Sequence, residues 1–108
     1  MVSVYYYPAC NTCKKAIKWL ETNHIEVTLK HIVLETPSKL ILKEVYDKSG
    51  LTMNKLFNTS GLKYRELGMK DKLKSLSEDE ALTLLASEGM LIKRPILLSS
   101  DAALVGFK

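Results

Sequence analysis

The stretch VSVYYYPACNTCKKAIKWLETNHIEVTLKHIV, residues 2–33, changes its hydrophobic period twice, and that change carries the fold. VSVYYY is rich in β-branched and aromatic residues, is ended by Pro8, and reads as a strand. From Asn11 the period becomes helical. Cys13, Ala16, Ile17 and Leu20 fall at i, i+3, i+4 and i+7, Lys14, Lys15, Lys18 and Glu21 point elsewhere, and Asn23 is the stop. IEVTLKHIV then alternates Ile25, Val27 and Leu29 with Glu26, Thr28 and Lys30, a second strand. Strand, helix and strand within about 30 residues predict a βαβ unit with parallel strands.

The middle of the chain reads as helical. TPSKLILKEVYDKSG opens with Thr36 as the expected N-cap and Pro37 at the first helical position, and it closes on Gly50. LTMNKLF is a short helix started by Thr52, and GLKYRELG another bounded by Gly61 and Gly68. SEDEALTLLASEG carries Ser77 and Glu80 in capping-box spacing and Gly89 as the expected C-terminal glycine. The end returns to β structure. PILL is a strand opened by Pro95, SSDA a turn, and ALVGF the antiparallel return strand. The summed order is β-α-β, a helical block at about residues 36–90, then a β-hairpin: an α/β domain with a small mixed sheet, expected to span residues 1–108 as one unit.

Composition narrows the function classes. A hydrophobic fraction of 46% suffices for an ordinary core, and 26% charged residues argue against disorder. No apolar run approaches the roughly 20 residues of a membrane span. The first residues lack a basic leader and a small-residue cleavage site, so a cytoplasmic location is expected. The net charge of +4 is spread along the chain, whereas nucleic-acid proteins cluster their basic residues, so direct nucleic-acid binding is not expected. Tyr5, Tyr6, Tyr7 and Trp19 gather instead beside the chain's two cysteines, Cys10 and Cys13.

Three chemistries suit such a pair. A structural zinc site wants four ligands, and the two histidines, His24 and His31, lack the spacing of a second ligand pair. A structural disulfide across so small a loop removes little chain entropy and would be held open by a reducing cytosol. Thiol chemistry fits the placement better. Cys10 falls in the turn before the helix, where unpaired N–H groups and the helix dipole favour a thiolate, with Lys14 and Lys15 adding charge one turn in. Cys13 lies three residues on, on the inward face, as a resolving thiol for the attacking Cys10.

A βαβ unit followed by a hairpin resembles the thioredoxin fold, in which the proline opening the third strand faces the cysteine turn, usually through a cis bond. Pro95 holds that place, and Arg94 before it would aim its guanidinium at an anion bound at Cys10; the plainer reading of Arg94 is a surface charge beside a rigid turn. With YYYPACNTCKKAIKWL, NTSGLKYRELG, and KRPILL followed by LVGF in this order, the chain resembles the ArsC/Spx family, thioredoxin-fold proteins with a helical insertion. That family includes glutaredoxin-dependent arsenate reductases and Spx-type transcriptional regulators.

The resemblance implies different things for its two branches. In the reductases a cysteine matching Cys10 attacks arsenate, three arginines hold the oxyanion, and glutathione and glutaredoxin complete the reduction. Arg94 matches one of those arginines; Asn58, Thr59 and Ser60 stand in the segment where another often occurs, and Gly106 replaces the third. Weak arsenate reduction is therefore the expectation. In the regulators a pair matching Cys10 and Cys13 is a disulfide switch, and the protein binds the RNA polymerase α subunit. There an arginine falls at Ser60 and a polymerase-contacting glycine at Thr52, and the chain continues beyond the position of Lys108.

The expected function is thiol–disulfide exchange with small thiols or protein disulfides, with a redox-sensing regulator as the rival. Cys10, Cys13 and Arg94 are the expected catalytic residues; Asn11, Thr12, Lys14, Ser60 and Pro95 are the expected substrate-binding ones. No bound metal or organic cofactor is expected, and glutathione with glutaredoxin, or thioredoxin, would serve as external reductant.

Overall fold

A computed structural model of the chain describes residues 1–107. Lys108, the last position of the expected domain, lies outside the described residues. The βαβ unit forms as the periodicity predicts. β1 (Val2–Tyr6) leads through a turn into α1 (Asn11–Thr22), which ends on Asn23 and returns as β2 (Val27–His31), parallel to β1 with Val4 opposite Leu29. β3 (Ile96–Leu98) and β4 (Ala103–Val105) are the hairpin, and β3 pairs antiparallel with β1. Among the described residues the sheet has four strands in the order β2-β1-β3-β4.

Alternation along these strands gives the sheet two buried faces. Val4 and Leu97 point to one side, where Leu20 and Ile17 of α1 cover them. Tyr5, Ile96 and Ala103 point to the other and enter a larger core with Leu42, Val45, Leu82 and Leu85 from the helical block. The site therefore sits on a strand held from both sides. Leu29, in the alternating set of β2, is 44% exposed, because β2 is the sheet edge and α1 alone does not cover it.

The helical block comprises α2 (Lys39–Ser49), a 3-10 turn at Met53–Leu56, α3 (Leu62–Glu66), α4 (Met69–Lys72) running into a 3-10 turn at Leu73–Ser75, and α5 (Glu78–Ser87). The α4 segment is not marked by the sequence reading. It is short, and a single buried side chain, Met69, anchors it. Ser77 and Glu80 form the expected capping box: each side chain accepts the other's backbone N–H, at 3.1 and 2.9 Å. Gly50 ends α2 in the left-handed region, with φ 69°.

Two expectations fail here. The N-cap of α2 is Ser38, whose Oγ accepts the Ile41 N–H at 3.2 Å, and not Thr36. Thr36 donates its hydroxyl backward to the carbonyls of Ile32 and Val33, closing the turn after β2, and Pro37 is buried ahead of the helix. Gly89 is not a left-handed helix end either. Glu88 is the C-cap, in extended conformation, and Gly89 is buried where a Cβ would lie 2.2 Å from the Ile32 carbonyl oxygen. Its role is to let α5 approach the end of β2.

Candidate active site

The turn Tyr7–Cys10 is closed by the Cys10 N–H donating to the Tyr7 carbonyl at 3.0 Å. It delivers Cys10 as the N-cap of α1, with extended backbone (φ −87°, ψ 113°). A serine or aspartate oxygen usually caps a helix; here the sulfur does so, accepting the Cys13 N–H at 3.3 Å. Cys10 is partly exposed, Cys13 is fully buried on the inward face of α1, and both are free thiols.

Their environments drive the two sulfurs apart. Burial alone would push the Cys10 thiol up, but the thiol and backbone N–H of Cys13, followed by the Arg94 guanidinium, outweigh it and hold Cys10 below its ordinary 9.0. Burial pushes Cys13 up to about 12, reinforced by the adjacent Cys10 sulfur and only partly offset by Tyr7 and Arg94. One thiol is thus prepared to ionise and its neighbour to keep its proton. Lys14 and Lys15 point into solvent; Cys13 and Arg94, not these lysines, supply the lowering of Cys10.

Arg94 is not a free surface charge. Its guanidinium carbon lies 4.9 Å from the centroid of the Tyr7 ring, and Tyr7 in turn packs edge-on to His31, with centroids 5.7 Å apart. The His31 Nδ1 accepts the backbone N–H groups of Val33 and Leu34, fixing that ring in place. The Arg94–Pro95 peptide bond is cis and Pro95 is buried. Arg94 Nη1 is buried with no hydrogen-bond partner among the described residues, a cost that an arriving acceptor would relieve.

Thr12 and Arg94 line a cleft of about 380 Å³ together with Lys93, Gly106 and Phe107. A second cleft of about 450 Å³, lined in part by Lys55, Phe57 and Thr59, shares Lys93 and Val105 with it. Arg94 thus acts on both sulfurs and shares a cleft with Thr12, Pro95 follows it through the cis bond, and Asn11 is exposed on the first turn of α1. Ser60 is an exposed loop residue whose hydroxyl approaches Asn58 Oδ1 at 3.4 Å, and no hydrogen bond among the described residues ties it to either sulfur. Tyr7 and Lys93 are the residues the sequence reading missed. Tyr7 sits in the aromatic run beside the turn, which was a usable signal; nothing local marks Lys93.

A family model described as the ArsC family matches residues 5–108. The chain belongs to the ArsC family. Within it, the chain is 55% identical over 107 residues to the uncharacterised protein YusI of Bacillus subtilis (strain 168), covering 99% of this chain and 91% of that protein. It is 26% identical to the regulatory protein MgsR of the same organism, covering 98% of this chain and 82% of MgsR. It is 29% identical to an arsenate reductase of Rhizobium meliloti (strain 1021), over 91% of this chain and 69% of that enzyme. A crystal structure of an ArsC-family-related protein from Bacteroides fragilis superposes with a TM-score of 0.95 at 46% identity, covering 99% of this chain and 90% of the other. The ArsC fold accounts for the thioredoxin-like sheet and the helical block between β2 and β3. ArsC-family relatives thus include both reductases and regulators.

Proposed function

We propose that the chain is a thiol oxidoreductase in which Cys10 is the nucleophile and Cys13 the resolving thiol. The observation that carries this reading is the Cys10 sulfur itself, capping α1 through the Cys13 N–H at 3.3 Å beside the Arg94–Tyr7 stack. The Cys10 thiolate attacks one sulfur of a small-molecule or protein disulfide. A Cys10–sulfur bond forms, the partner's S–S bond breaks, and the leaving sulfur takes the electron pair and then a proton. Cys13 next gives up its proton and attacks Cys10, releasing the second partner thiol and leaving a Cys10–Cys13 disulfide. Binding Cys10 covalently removes its charge from beside Cys13, which eases that proton loss. An external reductant, glutathione with glutaredoxin or thioredoxin, resets the pair.

The test is iodoacetamide alkylation against pH, read by intact mass. Cys10 should label with a midpoint below that of a free thiol while Cys13 resists until the chain is unfolded. A Cys10 midpoint at or above that of a free thiol removes the basis of the mechanism.

Arsenate reduction is a side activity in this reading. One guanidinium faces Cys10, and Gly106 and the Asn58–Thr59–Ser60 segment supply no second one, so binding of the oxyanion is weak. Turnover with arsenate, glutathione and glutaredoxin, abolished in Cys10→Ser, measures it. The similarity to MgsR over nearly the whole chain supports a second reading, a redox-sensing regulator that binds the RNA polymerase α subunit. Binding to the α C-terminal domain that changes between oxidising and reducing conditions would favour that reading over the enzyme.

A further inference from the structure

The cleft that Thr12 and Arg94 line carries a residue that thiol exchange alone does not require. Lys93 lines both the cleft of Thr12 and Arg94 and the adjoining one that contains Lys55. Its backbone is held while its side chain, exposed, passes over Gly106. The Lys93 N–H donates to the Leu56 carbonyl at 2.8 Å, at the isolated bridge between Phe57 and Ile92, which joins the helical block to the chain entering β3. The side chain then crosses Gly106: its Cε lies 3.3 Å from where a Gly106 Cβ would stand. Gly106 is held there by its N–H donating to the Pro95 carbonyl at 2.8 Å, next to Arg94. A Cβ at Gly106 would press on the Lys93 side chain, which would have to give by a few tenths of an ångström, and the backbone at φ 83° disfavours one in any case.

The surroundings give this lysine its meaning. No Asp or Glu lines either of the two clefts among the described residues, whereas the cavities of the helical block contain Glu78, Asp79 and Glu80. Lys93 and Arg94, adjacent in the chain, thus line a cleft of one sign, Arg94 also acts on the reactive sulfur, and it brings a buried Nη1 that has no acceptor among the described residues. Charges of one sign in a confined cleft raise the local concentration of an oppositely charged partner and fall in effect with salt.

We propose that Lys93 selects the partner of Cys10: with Arg94 it makes a cationic cleft across Gly106 that takes a disulfide carrying a carboxylate close to its sulfur. This rests on the reading of Cys10 as the nucleophile and adds the chemical class of what it attacks. The carboxylate lies along the Lys93 side of the cleft while its sulfur meets Cys10. The exchange itself proceeds as written above: one S–S bond breaks as the Cys10–sulfur bond forms, and the leaving group departs as a thiolate.

The experiment compares two chromogenic disulfides on the reduced full-length chain: 5,5′-dithiobis(2-nitrobenzoate), which is anionic, and 2,2′-dithiodipyridine, which is neutral. The quantity read is the ratio of their second-order rate constants at Cys10, with Cys10→Ser as the blank. Lys93→Met should lower the anionic-to-neutral ratio by about three- to tenfold, Lys93→Glu should lower it further, and Lys93→Arg should keep it. The wild-type ratio should shrink as salt is raised, and Lys70→Met, in a cavity of the helical block that Lys93 does not line, should leave the ratio unchanged. Equal slowing of both reagents in Lys93→Met would show a structural role and overturn the proposal. An unchanged ratio in Lys93→Glu would overturn it as well. If the neutral reagent fails to react with Cys10 in the wild type, the nucleophile reading itself has failed, an outcome distinct from a failure of charge selection.

Discussion

Alanine at Gly89 tests how the helical block is seated on the strand that supports the site. A Cβ there would lie 2.2 Å from the Ile32 carbonyl oxygen, 2.9 Å from its carbonyl carbon and 3.1 Å from the Val33 Cα. Ordinary contact begins at 3.4 Å, so the two backbones must part by about 1 Å. Neither side moves easily. The Ile32 N–H donates to Tyr6 at 2.8 Å, continuing the β1–β2 pairing, and the Ile32 carbonyl accepts the Thr36 hydroxyl at 2.8 Å. Overpacking against backbone of this kind costs about 2–4 kcal/mol. In a domain of this size that lowers Tm by roughly 10–25 °C. The assay is urea and thermal unfolding followed by far-UV circular dichroism, on the wild type, Gly89→Ala, Gly89→Asn and Gly50→Asn. At Gly89, asparagine should be worse than alanine, because it is larger and the constraint is space. At Gly50, with φ 69° and nothing within 4 Å among the described residues, asparagine should cost less than about 1 kcal/mol, because there the constraint is backbone conformation. Should Gly89→Asn be tolerated as well as Gly50→Asn, the close approach of α5 to β2 is wrong and Gly89 is an ordinary helix-end glycine.

Two further outcomes follow from the site. Arg94→Met removes one of the groups that lower the Cys10 pKa, so the alkylation midpoint should move to higher pH; a profile identical to wild type would show that Arg94 does not act on the sulfur. Cys13 makes stability fall with alkaline pH. Its folded-state value of about 12 lies above the ordinary 9.0, so between these values the folded chain keeps a proton that the unfolded chain has lost. The contribution of Cys13 is complete below pH 9.0 and is lost by about 1.4 kcal/mol per pH unit as pH rises toward 12. The depressed value of Cys10 acts with the opposite sign, adding stability above 9.0 that is lost as pH falls through its folded-state value. Urea midpoints of Cys10→Ser and of Cys10→Ser with Cys13→Ala, at several pH values above 9.0, isolate the Cys13 contribution, since the Cys10 titration, which Cys13 itself shifts, is absent from both. Curves that run parallel would refute it.

Much of the fold was legible because it is local. While β2 formed over Val27–His31, shorter than the alternating run 25–33 and with Leu29 exposed at the sheet edge, the apolar spacing of Cys13, Ala16 and Leu20 and the Ser77–Glu80 box depend on residues within a turn or two of one another and formed as read. The same holds for Cys10 as a helix cap, since its partner, the Cys13 N–H, is three residues away. Where local signals competed, the reading slipped. Thr36 and Ser38 both suit an N-cap, and the choice fell to Ser38 because Thr36 had carbonyls of the preceding turn within reach.

The amino-acid order by itself determined the βαβ unit, the closing hairpin, and a sulfur placed at the mouth of the first helix, because hydrogen-bonding partners and hydrophobic period are set by neighbours in the chain. Only the tertiary structure decided that Arg94 lies on Tyr7, that Lys93 crosses Gly106 into the same cleft, and that Gly89 is needed for room and not for its backbone angle. Arg94 and Tyr7, like Gly89 and Ile32, are separated by long stretches of sequence. Their distances are set by how the helical block and the sheet fill one core, and no period in the sequence records a distance between elements.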